Sequence, residues 1–346
     1  KTNAPDNTGV GREVLRCNRA GCQNVAVGYN AMYHNTNGVG SVAVGLCALH
    51  CSNTTNNTAI GKVAGQCITS GSLNTAIGNA ALKGHDTTVT GHENTAVGYF
   101  AGGRISSGAY NVAIGSRTMC GLSTSSYNTA VGHHSQLTRS TGAYNTTLGA
   151  NSLCCDCTGS CNTVLGYAAG RCDTSACQVT FVGMNAGLNN TADSSTAVGF
   201  GSLANNTSGT GNTALGFCSL YANTGANNTA VGNQALFNNS EGAVNTAVGA
   251  NSLVCNTTGL GNTAVGTSSL GCNITDNYST AVGYLSLRCS TGSRVVGIGV
   301  SAGCRNSGAC NTFVGYEAGR FNCEGPRVTA LGYQALGSAC NCGCNI

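Results

Sequence analysis

Three successive stretches of the chain read Asn94-Thr95-Ala96-Val97-Gly98, Asn111-Val112-Ala113-Ile114-Gly115 and Asn128-Thr129-Ala130-Val131-Gly132. The closing glycine recurs twenty times from Gly11 to Gly332, so that 321 residues hold 19 intervals, about 17 residues each. Every interval is 16 or 17 except one of 20, between Gly78 and Gly98. A strict period of this length marks a repeat architecture, in which no unit can bury its apolar residues alone and each covers its neighbour.

Counting from that glycine as position 0, −1 is aliphatic in every unit, −2 is mostly Ala, and −3 is Thr in sixteen units and Val in four. Position −4 is mostly Asn, +3 is small, and +4 is Leu, Met or Gly in nearly every unit, as in Ser152-Leu153 and Ala335-Leu336. A second glycine often stands at −7 (Gly21, Gly71, Gly142, Gly242, Gly308), where a tight turn calls for positive φ. The pattern predicts an all-β, single-chain parallel β-solenoid of about 20 coils of about 17 residues. Each coil is expected to hold two strands of about four or five residues, joined by a glycine corner and a longer polar turn. Stacked at about 4.8 Å, twenty coils extend roughly 95 Å. The expected domain plan is one solenoid over 1–346, with a degenerate first coil at 1–22 and a Cys-rich tail at 337–346.

Alternation puts −1 and −3 on one side of the strand. An aliphatic column reads as buried, which takes Thr inward with it and leaves Ala outside as a smooth strip. The reversed register exposes a rank of Thr at the coil spacing, the pattern of an ice-binding face. The −4 Asn row either hydrogen-bonds from coil to coil as a ladder or simply suits the turn entering the strand.

The composition excludes several function classes. Charged residues are 8% of the chain and the net charge is only +4, with basic residues scattered, so nucleic acid is not an expected partner. No apolar run of the length needed to span a bilayer occurs. The start at Lys1 without Met reads as a mature product whose signal was removed. A load of 22 Cys suits an oxidising compartment, which places the protein outside the cell, on a cell surface or on a virion surface. No matched nucleophile and base, carboxylate pair or cofactor loop is present, so neither an enzyme nor a cofactor is expected.

The Asn-Thr-Ala-Val-Gly unit followed by small-Leu, as in Asn94 to Gly98 and Asn212 to Leu220, resembles the head repeats of trimeric autotransporter adhesins and related repeats of phage and large-virus fibre proteins. The resemblance runs from Asn7 to Leu336. It implies a left-handed β-roll, with a trimer as one assembly state, that binds surfaces or projects from them.

Most cysteines map to the long turn. Candidate bridges across one turn are Cys17/Cys22, Cys155/Cys161, Cys172/Cys177 and Cys304/Cys310; candidate bridges between neighbouring coils are Cys51/Cys67 and Cys255/Cys272, whose spacing near 5 Å falls within the disulfide range. The clusters Cys154-Cys155-Asp156-Cys157 and Cys340-Asn341-Cys342-Gly343-Cys344 read as disulfide-forming before metal-binding, since zinc sites favour two-residue spacing and no His is near. Cys340, Cys342 and Cys344 are candidates for bridging to another subunit. The wide interval carries His85, Asp86, His92 and Glu93, and His133-His134 form a pair; a solvated loop is the expected state of both, and no metal is assigned. Asn-x-Ser/Thr acceptors occur at Asn53, Asn56, Asn145, Asn189, Asn205, Asn206, Asn227, Asn238, Asn256, Asn273 and Asn277. Most fall in the long turn, where a glycan can project.

The first coil is already in register at Asn7-Thr8-Gly9-Val10-Gly11 and no capping helix is evident at either end, which predicts head-to-tail self-assembly. The leading expectation is a filament subunit, surface fibre or adhesin, partnered by itself as a homopolymer or homotrimer. Alternatives are an ice-binding protein and a glycan- or receptor-binding fibre. For the last, the +1 tyrosines Tyr29, Tyr99, Tyr167, Tyr284, Tyr316 and Tyr333 could stack on sugars, though corner packing is their simpler role.

Overall fold

The computed structural model describes residues 5–84, 88–121, 124–137, 141–155, 158–173, 175–322 and 325–337. They belong to two compact units that divide in sequence between Gln178 and Val179. The N-terminal unit holds ten three-residue strands, from β1 (Thr8–Val10) to β10 (Thr163–Leu165), and the C-terminal unit ten more, from β11 (Thr180–Val182) to β20 (Thr329–Leu331). Within each unit every strand pairs in parallel with the next, position for position: Thr95↔Val112, Ala96↔Ala113 and Val97↔Ile114, then Val112↔Thr129, Ala113↔Ala130 and Ile114↔Val131. One strand per coil, one coil per repeat, makes each unit a parallel β-solenoid. No helix occurs among the described residues.

Among the described residues the expected second strand does not occur, because the opposite wall has another backbone. At +2 and +4 the residues are left-handed: Asn30 and Met32 (φ 55° and 49°), Cys47 and Leu49 (54° and 47°), Asn251 and Leu253 (55° and 49°). The amides at +2 and +4 face opposite neighbours, while the one between them, as at Ala31, donates within its own coil to the Gly28 carbonyl. Asn30 N–H donates to the Arg12 carbonyl of the coil before (3.1 Å), and Met32 N–H to the Ala48 carbonyl of the coil after (3.0 Å). A left-handed non-glycine residue costs about 1–2 kcal/mol. A buried ladder hydrogen bond, which costs about as much to leave unmade, offsets it.

Glycine is required where coils touch. At Gly98 φ is 133°, and an added Cβ would sit 2.6 Å from the carbonyl oxygen of Gly115 in the next coil. The −7 glycines have a different reason from the expected one: Gly142 is not left-handed, but a Cβ there would land on the carbonyl of Gly159.

The strand faces the opposite way from the first register considered. Ala96, Ala113 and Ala130 are fully buried, whereas Val97 and Val131 are half-buried and Ile114 is exposed. Val97, Ile114 and Val131 do form one vertical column, but on the outside, with the Thr column beside them. The opposite wall explains this, because fully buried Leu at +4 (Leu82, Leu203, Leu253) leaves room on the strand side for little more than a methyl group. Four coils lacking Leu at +4 compensate within themselves. Where +4 is Gly65 or Gly102, Ile68 or Ile105 fills the space, and where it is Gly187 or Gly319, Phe181 or Phe313 at −2 does so.

Two polar rows run through this interior. Of the two readings of the −4 Asn row, the structure has the ladder: the buried Asn111 donates its backbone N–H (3.0 Å) and its amide (3.1 Å) to Asn94 Oδ1, and its amide also to the Ser125 carbonyl (2.9 Å). A second row at +7 was not read from the sequence. In the C-terminal unit the amide of Asn206 donates to Asn190 Oδ1 (2.7 Å), Asn223 to Asn206 (3.1 Å), Asn239 to Asn223 (2.7 Å), Asn256 to Asn239 (2.6 Å) and Asn273 to Asn256 (3.1 Å). Its signal was present as Leu-x-x-Asn, in Leu203 to Asn206 and Leu253 to Asn256.

The volume exchange between −2 and +4 is testable in the C-terminal unit. Phe181→Ala leaves a cavity and should cost about 3–5 kcal/mol, and Gly187→Leu alone overfills the coil against Phe181. The double variant recreates the Ala197/Leu203 arrangement of the next coil and should recover most of the loss in chemical denaturation; additive losses would contradict this packing.

Candidate interaction face

Because Ala at −2 points inward, −3, −1 and +1 point outward from every coil. In the C-terminal unit these positions run Thr196, Val198, Phe200; Thr213, Leu215, Phe217; Thr229, Val231, Asn233; Thr246, Val248, Ala250, and so on through Thr329, Leu331, Tyr333. Three positions in each of ten coils include no Asp, Glu, Lys, Arg or His. In the N-terminal unit the same columns carry only Arg12, Lys62 and His133. The columns are open: Leu215 is 46% exposed and Phe217 47%. A soluble surface rarely presents so long an uncharged apolar strip without a partner.

The +1 tyrosines do not pack into corners. Tyr29, Tyr99, Tyr167, Tyr284, Tyr316 and Tyr333 are all exposed, from 44% at Tyr29 to 73% at Tyr333. Neighbours in this column stack on each other: Phe200 on Phe217 at 5.3 Å and Tyr316 on Tyr333 at 5.2 Å between ring centroids. Arg117 lies over the Tyr99 ring and Arg12 over Tyr29. Ring faces used in this way are not free for a sugar.

Burial sorts the sequons. Asn145, Asn206, Asn256 and Asn273 are fully buried with their amides donating within the ladders, so the folded chain has no room for a glycan there. Asn53, Asn56, Asn227 and Asn238 are exposed, and Asn189, Asn205 and Asn277 half-buried.

Thiols meet from coil to coil. Cys272 and Cys289 lie 3.1 Å apart, sulfur to sulfur, and the side chain of Cys155 hydrogen-bonds that of Cys172. The sequence paired Cys155 with Cys161 and Cys172 with Cys177, across their turns, and set Cys272 with Cys255, which stands at the same position one coil before it and acts on its thiol; these cysteines are all free thiols in the structure, so none of the expected disulfides is formed there. In the structure residues at the same coil position stack one strand spacing, about 4.8 Å, apart, which brings Cys155 to Cys172 and Cys272 to Cys289. Cys51 and Cys67 are half-buried neighbours, and burial raises both pKa values. Cys17, Cys22, Cys177, Cys255 and Cys304 are half-buried, and Cys161 and Cys310 exposed. Cys157, Cys340, Cys342, Cys344, His85 and Asp86 lie outside the described residues, as does most of the 337–346 tail. His92 packs edge-on to Tyr110, and the His133 and His134 rings stack. Among the described residues no three His, Cys, Asp or Glu side chains gather closely enough to hold a metal, and no helix is long and apolar enough to cross a membrane.

No protein-family model matches the chain, and comparison with curated proteins returned no match.

Burial, and after it the neighbouring thiol, raises Cys155 and Cys272 from 9.0 to about 11. Both should therefore stay protonated and resist alkylation by iodoacetamide at neutral pH, reacting fast only as pH approaches about 11. Peptide mapping of alkylation against pH checks this; rapid labelling of Cys272 at pH near neutrality in folded protein would contradict it.

Proposed function

We infer that the chain is an extracellular structural protein, a subunit of a filament or surface fibre, whose solenoids associate laterally through the strand face. One observation carries this reading: an uncharged strip, of Thr, aliphatic and aromatic side chains apart from Asn233, runs along all ten coils of the C-terminal unit. The fold does not require it, since the interior needs only Ala from the strand. Packing two such strips together removes apolar surface from water at about 25 cal/mol per Å² and leaves no charge to desolvate. Self-association matches the resemblance to adhesin and fibre repeats, and the wealth of cysteine suits an oxidising exterior. There the Cys155/Cys172 and Cys272/Cys289 pairs can close as staples between coils.

Substituting Val231→Lys, Val248→Lys and Val265→Lys together places unpaired charges at the centre of the strip. An interface there should lose at least about 3 kcal/mol, roughly a hundredfold in Kd, in sedimentation across a concentration series, with the circular dichroism unchanged. Equal association of wild type and variant would remove this face from the assembly.

The outward Thr column favours ice as a second reading. Methyl and hydroxyl groups repeat at the coil spacing on an in-register parallel ladder, a regular array for ordered water. Thermal hysteresis should then appear in wild type and vanish with Thr229→Lys, Thr246→Lys and Thr263→Lys; its absence in wild type closes this reading and leaves self-association untouched.

A further inference from the structure

A column unconnected with the strand face runs along −5. Tyr110, Tyr127 and Tyr144 occupy it in three consecutive coils, each left-handed at φ 59°, 61° and 60°. Their amides are tied in the same way, Tyr110 N–H to the His92 carbonyl (3.1 Å), Tyr127 to Ala109 (3.1 Å) and Tyr144 to Ser126 (3.4 Å). Identical backbones project the rings in parallel. Centroids lie 4.9 Å apart with 5° between the planes for Tyr110 and Tyr127, and 5.2 Å with 4° for Tyr127 and Tyr144. The rings are 39%, 50% and 60% exposed. Since the faces cover one another, the edges that carry the hydroxyl and its ortho carbons are what meets solvent.

We propose that this ladder is a site of oxidative coupling, at which neighbouring phenols are joined as dityrosine between coils. A haem peroxidase charged with hydrogen peroxide is the class of oxidant required. It removes one electron from each of two phenols; each phenol also gives up its hydroxyl proton, at Tyr110 to the carboxylate of Glu93 beside it and at Tyr127 to water. The two phenoxyl radicals pair by forming one carbon–carbon bond between ortho positions, and each ortho proton then moves to its own ring oxygen. The sum is two tyrosines and one hydrogen peroxide giving one dityrosine and two waters. The rings must swing from stacked to edge-on for the bond to form, a rotation that exposed side chains make within nanoseconds. Holding the partners one coil apart replaces a bimolecular encounter with an intramolecular one.

The site uses none of the −3, −1 and +1 columns, so it stands or falls apart from the association face. The test treats dilute full-length protein with a haem peroxidase and hydrogen peroxide, then digests with trypsin. Cys161→Ser serves as the background, because that exposed thiol follows Tyr144 in the same column and would quench a radical. The three tyrosines fall on separate tryptic peptides, 105–117, 118–139 and 140–171. The expected products join 105–117 to 118–139 and 118–139 to 140–171, each two hydrogens lighter than its parts, with dityrosine fluorescence in a yield independent of protein concentration. Tyr127→Phe should abolish both products, while Tyr278→Phe, at an isolated exposed ring, should leave them unchanged. No dityrosine, a yield unaffected by Tyr127→Phe, or links only between separate chains, rising with concentration, would each overturn the proposal.

Discussion

Everything in this structure follows from how closely one coil lies on the next. Successive coils are one strand spacing apart along their whole circumference, at the corners and turns as well as in the strand. The corner glycines make the constraint visible, for a single methyl added at Gly98 would meet the carbonyl of Gly115. Such proximity lets the strand amides and those at +2 and +4 find carbonyls one coil away. It also forces the wall opposite the strand into alternating left- and right-handed residues, the path that turns amides up and down the stack without a second β-strand.

The same closeness makes the interior thin, and thinness decides what lies inside. In most coils one wall contributes Leu and a small residue and the other Ala; where both are glycine, at Gly297 and Gly303, Leu287 and Phe313 of the neighbouring coils fill the space. Phe181 is admitted opposite Gly187, and Phe313 opposite both Gly319 and Gly303. A core so narrow cannot shield the ends of its turns with hydrocarbon, so the turns are closed by buried asparagines. An asparagine amide carries donors and an acceptor pointing different ways, and can therefore receive from one coil and donate to another. That property suits a column of identical residues better than a hydroxyl would.

Much of this was legible in the residues. The period, the corner glycine and the −4 Asn row all depend on identity at fixed intervals, which a sequence displays directly, whereas the bonding of that row as a ladder shows only in the structure. The direction of the strand was not legible, because alternation is symmetric: Thr-Ala-Val reads equally well with either face inward, and the usual burial of Val argued for the wrong one. The deciding information sat at +4, where a run of Leu had already claimed the interior. The left-handed wall was hidden for another reason. Leu, Met and Cys have no preference for positive φ, and adopt it here because the ladder over-determines their backbone. The same ladder hid the state of Asn206, Asn256 and Asn273, whose motif is that of an exposed acceptor and whose environment is a sealed column.

What the fold leaves unexplained is the character of the outer strand face. Thr and β-branched aliphatics suit a strand on any surface, but strand propensity does not account for the lack of charge at −3, −1 and +1 through ten coils. A constraint from outside the chain is needed, and the two columns flanking the corner glycine differ in what they imply. Positions −3 and −1 are nearly uniform, as a regular lattice or a second identical ladder would demand. Position +1 varies through Met184, Phe200, Phe217, Asn233, Ala250 and Thr267, large beside small, with stacked rings standing proud of the surface. An ice plane offers nothing to match such relief across its width. A protein surface can match it, and another copy of this chain carries both the flat columns and the uneven one. The unevenness of +1 thus favours association between solenoids over a crystalline partner, with the uniform Thr and aliphatic columns giving register and the irregular rings giving a preferred alignment.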